Sequence, residues 1–145
     1  MVRLPVINNS RFDLPNYEST AAAGLDLRAN IDDPIVLGPL KRRVIPTGLS
    51  IALPEGYEAQ IRPRSGLSAK FGITVLNAPG TIDADYRGDI GVILINLSEE
   101  EYTLQPGERI AQMVVAPFTQ IQWEPVETLS ETTRGEKGFG STGKN

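Results

Sequence analysis

The sequence predicts an all-β protein, a distorted β-sandwich or barrel, and three observations carry that prediction. Glycine (14) and proline (11) are frequent and scattered along the whole 145-residue chain. Between them lie short runs rich in β-branched residues, with turn signals about every 8–12 residues, the spacing of sandwich and barrel strands. No stretch carries the apolar 3.6-residue period of a long amphipathic helix.

In chain order the first run is Leu4–Ile7. In Ala21-Ala22-Ala23-Gly24-Leu25-Asp26-Leu27-Arg28 small residues allow close backbone packing, and strand alternation points Asp26 away from the two leucines, toward solvent or a magnesium ion's water shell. Ile35–Leu37, Arg43–Ile45, Leu49–Leu53 and Tyr57–Ile61 follow, with Leu53-Pro54-Glu55-Gly56-Tyr57 a strong turn. Gly66–Phe71 is the one segment suited to a turn or two of helix. Ile73–Leu76 and Ile90–Ile95 flank Asn77–Asp89, which Pro79-Gly80 and Arg87-Gly88 punctuate, so this region reads as a hairpin. Tyr102–Leu104 and Arg109–Pro117 end the series, joined through the Pro-Gly turn Gln105-Pro106-Gly107-Glu108. Composition shifts after Val126, which divides the chain into one β-domain over 1–126 and a flexible C-terminal arm over 127–145. A lone Phe139 in that Gly-rich arm has no core to join unless the arm docks.

Composition excludes much chemistry. There are no cysteines and no histidines, so thiol nucleophiles, Cys or His zinc sites and Ser-His-Asp machinery are absent. General-base work falls to Asp, Glu, Lys or Tyr, and any metal is hard and oxygen-bound, magnesium first. A net charge of −4 argues against nucleic acid or an anionic membrane as partner. The apolar run at Met1–Val6 is too short for a signal peptide and no run approaches ~18 apolar residues, so a soluble, cytoplasmic protein is expected.

Four segments carry the functional signal. In Arg62-Pro63-Arg64-Ser65-Gly66-Leu67-Ser68, free N–H groups at a helix start and the planar fork of Arg64 suit phosphate oxygens; read alone, the same residues are equally a Ser N-cap beside a surface Arg. The hairpin places three carboxylates, a central one of which can serve as a general base, near the flat face of Tyr86, with Asn77 able to read a base edge. In Arg109–Val115, alternation puts Ile110, Gln112 and Val114 on one face, and Gln112, polar among apolar neighbours, needs a backbone or phosphate partner. The tail Arg134–Gly143 can wrap phosphates with N–H groups and a cation. Together these point to a small phosphorylated ligand such as a nucleotide.

Ala22–Leu27, Arg62–Ser68, Gly80–Ile90, Arg109–Val114 and Arg134–Gly143 are five motifs in the order of one family. By them the chain resembles the homotrimeric all-β dUTP pyrophosphatases (dUTPases), over nearly its full length. The resemblance implies a jelly-roll-like fold and hydrolysis of dUTP to dUMP and pyrophosphate with Mg2+, in a homotrimer with shared active sites. It implies Asp83 as the base that activates a water against the α-phosphorus. Asn77 and the backbone at Gly80 and Ile82 would read uracil, and Tyr86 would lie under the deoxyribose. Arg64, Ser65, Gly66 and Gln112 would bind the phosphates, and Asp26 would reach the metal through water. From the closing arm, Arg134 would bind the γ-phosphate, Phe139 would stack over uracil, and Gly140 and Ser141 would add phosphate contacts. Asp89 stands where many members carry Glu. Two other readings compete: a dCTP deaminase-type enzyme of similar fold, which would want a Glu-centred site, and a non-catalytic nucleotide-sensing or protein-binding module.

Overall fold

The structure, a computed structural model, describes residues 2–138. It contains eleven strands and one helix among those residues. The strands are β1 (Val6–Asn8), β2 (Leu25–Arg28), β3 (Ile35–Leu37), β4 (Arg42–Pro46), β5 (Leu49–Ile51) and β6 (Tyr57–Arg62), followed by helix α1 (Ser65–Phe71). Then come β7 (Ile73–Val75), β8 (Gly80–Ile82), β9 (Gly91–Asn96), β10 (Tyr102–Leu104) and β11 (Arg109–Pro117). Every pairing is antiparallel. A four-stranded sheet runs β2-β11-β6-β8 and a three-stranded sheet β4-β9-β7, with two-stranded pieces β1-β5 and β10-β3. Leu27, Ala59, Ile61, Ala111 and Met113 from the first sheet and Ile45, Ile73, Val75, Val92 and Leu94 from the second join one buried cluster. The expected sandwich is therefore present, in jelly-roll-like form.

Both turns singled out in the sequence close as type II-like turns. Tyr57 N–H bonds Pro54 O at 3.2 Å with Gly56 at φ +81°, and Glu108 N–H bonds Gln105 O at 3.2 Å with Gly107 at φ +77°. Each needs glycine, because a side chain at such φ is strained. Helix α1 is as short as predicted. Gly72, at φ 66°, ends it by donating to the carbonyls of Leu67 and Ser68, a left-handed C-terminal stop.

The hairpin expectation needs refinement. β7 and β9 do pair, Ile73 opposite Asn96 and Val75 opposite Leu94. The segment between them is more than a turn, because β8 leaves that sheet and adds to the edge of β6 in the other. One excursion thereby ties the two sheets together. Regular structure ends at Pro117, and residues 118–138 contain no strand or helix.

Candidate active site

The predicted residues gather at the two ends of β6. Past its Arg62 end the chain turns into α1. Arg64 is the N-cap residue, extended at φ −93° and ψ 126°, and no side chain caps the helix. Ser65 is thus the first helical residue and not a cap. The first N–H to bond back is that of Ser68, to Arg64 O at 3.1 Å. The N–H groups before it stay open, and a Cβ on Gly66 would meet nothing within 4 Å. Free N–H groups beside a guanidinium form an anion-binding arrangement.

Asp26 anchors this end. Arg64 Nε pairs with Asp26 Oδ1 at 3.1 Å, and Arg109 Nη1 pairs with Asp26 Oδ2 at 3.2 Å and with Glu18 Oε1 at 2.8 Å. Arg64 Nη1 also donates to the Arg109 carbonyl at 3.1 Å. Gln112 stands opposite Asp26 in the β11–β2 ladder, and its Nε2 donates to Pro63 O at 3.0 Å. Its amide oxygen lies over Gly24, where a Cβ would come within 2.6 Å. A side chain at Gly24 would have to displace the Gln112 amide from this position. Nearby, Tyr102 donates to Glu108 Oε1. Burial first, and then Glu108, push the Tyr102 hydroxyl above its ordinary range, with Arg64 opposing.

The predicted alternation on β11 does not hold at its start. The register shifts between Arg109 and Ala111: Arg109 faces Arg28, while Ala111 faces Leu27. Ile110 is the extra residue of a β-bulge, which lets Ile110 and Ala111 both be buried. Arg109, not Ile110, then shares the face of Gln112 and Asp26.

The hairpin enters beside the Arg62 end of β6, with Asn77 and Gly80, and runs back antiparallel so that Asp83–Tyr86 lies toward the Tyr57 end. β8 places Gly80 opposite Ile61 and Ile82 opposite Ala59. A Cβ on Gly80 would come 3.3 Å from Ile61 Cβ and 3.2 Å from Asn77 Nδ2, so Asn77 lies against bare backbone. Asp83–Tyr86 is a turn closed by Tyr86 N–H to Asp83 O at 3.2 Å. Tyr86 Oη donates to Asp89 O at 2.9 Å, and a Cβ on Gly88 would sit 2.3 Å from that hydroxyl oxygen. The ring therefore rests across Gly88. Arg87 Nη1 ties the turn by donating to the carbonyls of Ala84 (2.6 Å) and Tyr86 (2.9 Å). Burial raises the Asp89 carboxyl, against the backbone amides of Thr47 and Gly48. Asp83 is exposed and borders two clefts. One of about 330 Å³ is shared with Ile82, Tyr86 and Val44, the other of about 740 Å³ with Glu55, Asp85 and Phe118.

Along β6, Asp83 is offset from Arg64. From Ala59, opposite Ile82, to Arg64 the chain advances five residues, roughly 16 Å at ~3.3 Å per extended residue. Neither cleft beside Asp83 is lined by Asp26, Arg64, Ser65 or Gln112. Arg134 makes only a local bond among the described residues, Nε to Lys137 O at 2.9 Å. Phe139, Gly140 and Ser141 lie outside the described residues.

Comparison with known proteins identifies the family. A family model described as dUTPase matches residues 10–143. The chain belongs to the dUTPase family. A deoxyuridine 5'-triphosphate nucleotidohydrolase of Fusobacterium nucleatum subsp. nucleatum is 54% identical over 143 residues, covering 99% of this chain and 98% of that one. The structure of the Staphylococcus bacteriophage 80alpha dUTPase with dUpNHpp superposes with a TM-score of 0.86 at 30% identity, covering 99% of both chains. A dUTPase of the S. aureus phage phi11, described with a structural Mg(II) ion, superposes with a TM-score of 0.78 at 25% identity, covering 88% of this chain and 98% of that one.

The five motifs do not include all the residues that meet around Asp26 and Arg64. Arg109 lay inside a motif without a role, and Glu18 and Tyr102 lay outside all five. A bulge and a loop contact bring them in, and neither leaves a periodic trace in sequence. As for a metal, no group of three Asp or Glu side chains able to cage one occurs among the described residues. Among the described residues Asp26 is the carboxylate that pairs with Arg64. This donor set fits a magnesium ion carried by substrate phosphates and waters better than an all-protein cage.

Proposed function

We propose that this dUTPase-family chain hydrolyses dUTP to dUMP and pyrophosphate in sites that two or more copies assemble. The observation that carries the activity is the 54% identity, over 99% of the chain, to a deoxyuridine triphosphate nucleotidohydrolase. What supports the sharing is the distance along β6. Asp83 follows Ile82, whose partner Ala59 lies five residues, roughly 16 Å of extended chain, before Arg64, an offset that favours a base and a phosphate grip drawn from different copies.

In this reading Asp83 takes the proton of a water that attacks the α-phosphorus, and pyrophosphate leaves. Its exposed carboxylate is accessible to that water. The main chain at Gly80 and Ile82, with Asn77, reads uracil, and a cytosine amino group would leave those fixed groups unpaired. Tyr86, braced on Gly88, packs under the deoxyribose and rejects a 2′-hydroxyl. From another copy, Arg64, the open N–H groups at Ser65 and Gly66, and Gln112 hold the phosphates. Magnesium, when bound, neutralises phosphate charge, with Asp26 reaching it through water. The arm over 127–145 closes the site with Arg134, Phe139, Gly140 and Ser141.

A homotrimer is the assembly proposed. Ile121, Trp123, Val126 and Leu129 are exposed apolar residues on a segment with no strand partner in its own chain, which suits packing against another copy. No helix among the described residues is long and apolar enough to cross a membrane, and the cytoplasm is the expected compartment for an enzyme of the nucleotide pool.

The test is pyrophosphate release with magnesium from dUTP, set beside dTTP, dCTP and UTP. Release from dUTP alone is expected. Ammonia from dCTP would favour a deaminase, and binding of dUTP without turnover a sensor.

A further inference from the structure

The bulge on β11 gives one residue an unassigned task. With regular register Ile110 would stand on the face of Asp26 and Gln112; the shift puts Arg109 there. From that place its side chain and main chain act on different partners. Nη1 carries two hydrogens, and two carboxylate oxygens lie within reach: Asp26 Oδ2 at 3.2 Å and Glu18 Oε1 at 2.8 Å. The Arg109 carbonyl accepts from Arg64 Nη1 at 3.1 Å, while Arg64 Nε holds Asp26 Oδ1 at 3.1 Å. Arg109, Asp26 and Arg64 thus form a closed ring of contacts, tethered from outside by Glu18.

We propose that Arg109 is a positioning residue for the triphosphate grip, with Glu18 as its tether. When Arg64 turns toward a phosphate, Asp26 loses the partner on Oδ1. Arg109 keeps Oδ2, so the carboxylate stays aimed, and the Arg109 carbonyl limits where the Arg64 fork can point. Arg109 acts through Asp26 and Arg64, without touching the reacting atoms. The inference rests on the dUTP reading above, and its effect belongs to the β- and γ-phosphates with their magnesium, not to uracil or sugar.

The experiment uses full-length Arg109→Ala, Arg109→Lys, Glu18→Gln and Asp26→Asn, and the Arg109→Ala/Asp26→Asn double variant. Affinity is measured for dUpNHpp with magnesium and for dUMP, which has the same base and sugar but one phosphate. Arg109→Ala is expected to weaken dUpNHpp about tenfold and dUMP less than about twofold, with Glu18→Gln shifting dUpNHpp the same way by about threefold. Lys at 109 recovers much of the loss. In the double variant, losing Arg109 adds nothing to Asp26→Asn, as coupled residues require. Equal weakening of both ligands, or full additivity with Asp26→Asn, overturns the proposal. Should Arg109→Ala fail to fold, Glu18→Gln decides alone, and an unchanged dUpNHpp affinity there overturns it too. If the unaltered protein binds no dUpNHpp, the dUTP reading itself has failed, a result separate from these.

Discussion

The two ends of β6 are built in opposite ways. At the Arg62 end, side chains hold one another: Asp26 between two arginines, Gln112 on Pro63 O, Glu18 behind Arg109. At the Tyr57 end the main chain does the holding. Tyr86 and Arg87 bond backbone carbonyls, and the Asp83 carboxylate makes no hydrogen bond or ion pair among the described residues. The contrast follows from the work proposed for each end. Charged groups that wait for a polyanion must be kept from collapsing or wandering, and neighbouring charges do that. A base that must accept a proton is best left with open lone pairs, on a turn held by its own backbone bonds.

The sharpest way to break this contrast is Asp83→Asn. It should lower kcat by roughly 10²–10⁴-fold, the range for losing a general base, while dUpNHpp binding persists. Wild-type turnover in that variant would remove Asp83 from the chemistry.

A smaller pair of changes compares the two ends directly, since each braces one ligand-facing side chain on a glycine. In Gly88→Ala the new Cβ would sit 2.3 Å from the Tyr86 hydroxyl, so the ring must move. Discrimination of dUTP against UTP should loosen by about tenfold, at the low end of what a methyl-sized change commands, with phosphate affinity preserved. In Gly24→Ala the Cβ meets Gln112 Oε1 at 2.6 Å and pushes the amide off Pro63. Losing that bond is worth about 1 kcal/mol, so KM for dUTP should rise several-fold with sugar selectivity intact. If the two variants produced the same kinetic change, the division of labour between the ends would be wrong.

The smallest effect expected is on stability. Tyr102 backs the arginine end through Glu108, and its folded-state pKa is raised. Below pH ~10, the ordinary tyrosine value, the hydroxyl is neutral in both states and its bond to Glu108 is fully present. As pH climbs past that value the unfolded chain ionises first, so this stability is lost with rising pH. Tyr102→Phe should lower stability by about 1 kcal/mol near neutrality and flatten the decline between pH 9 and 11, as read by denaturant titration. A decline as steep in the Phe variant would place its origin elsewhere.

Much of this was legible in the sequence because it is local. Pro-Gly pairs announced the two turns, β-branched runs announced most strands, and Asp26 between Leu25 and Leu27 announced its face. β8 was not legible. Gly80-Thr81-Ile82 is too short for a period, and it is a strand only because the edge of β6 is there to receive it. The bulge at Ile110 was equally silent, since a sequence window assumes unbroken alternation and the register slip exists only against β2. The separation of Asp83 from Arg64 also needed the pairing, because sequence distance between them says nothing of which ends of β6 they occupy.

The central claim, that one site is completed across copies, is tested most directly by mixing two inactive proteins. Asp83→Asn and Arg64→Ala are purified separately, then unfolded and refolded together in equal amounts, and pyrophosphate release from dUTP is measured. Each alone is expected to be nearly silent. Random assembly gives about a quarter of sites an intact Asp83 from one copy and an intact Arg64 from another, so activity should return toward a quarter of wild type. A co-refolded mixture as silent as its parents would contradict the account and place both residues in a single chain's site.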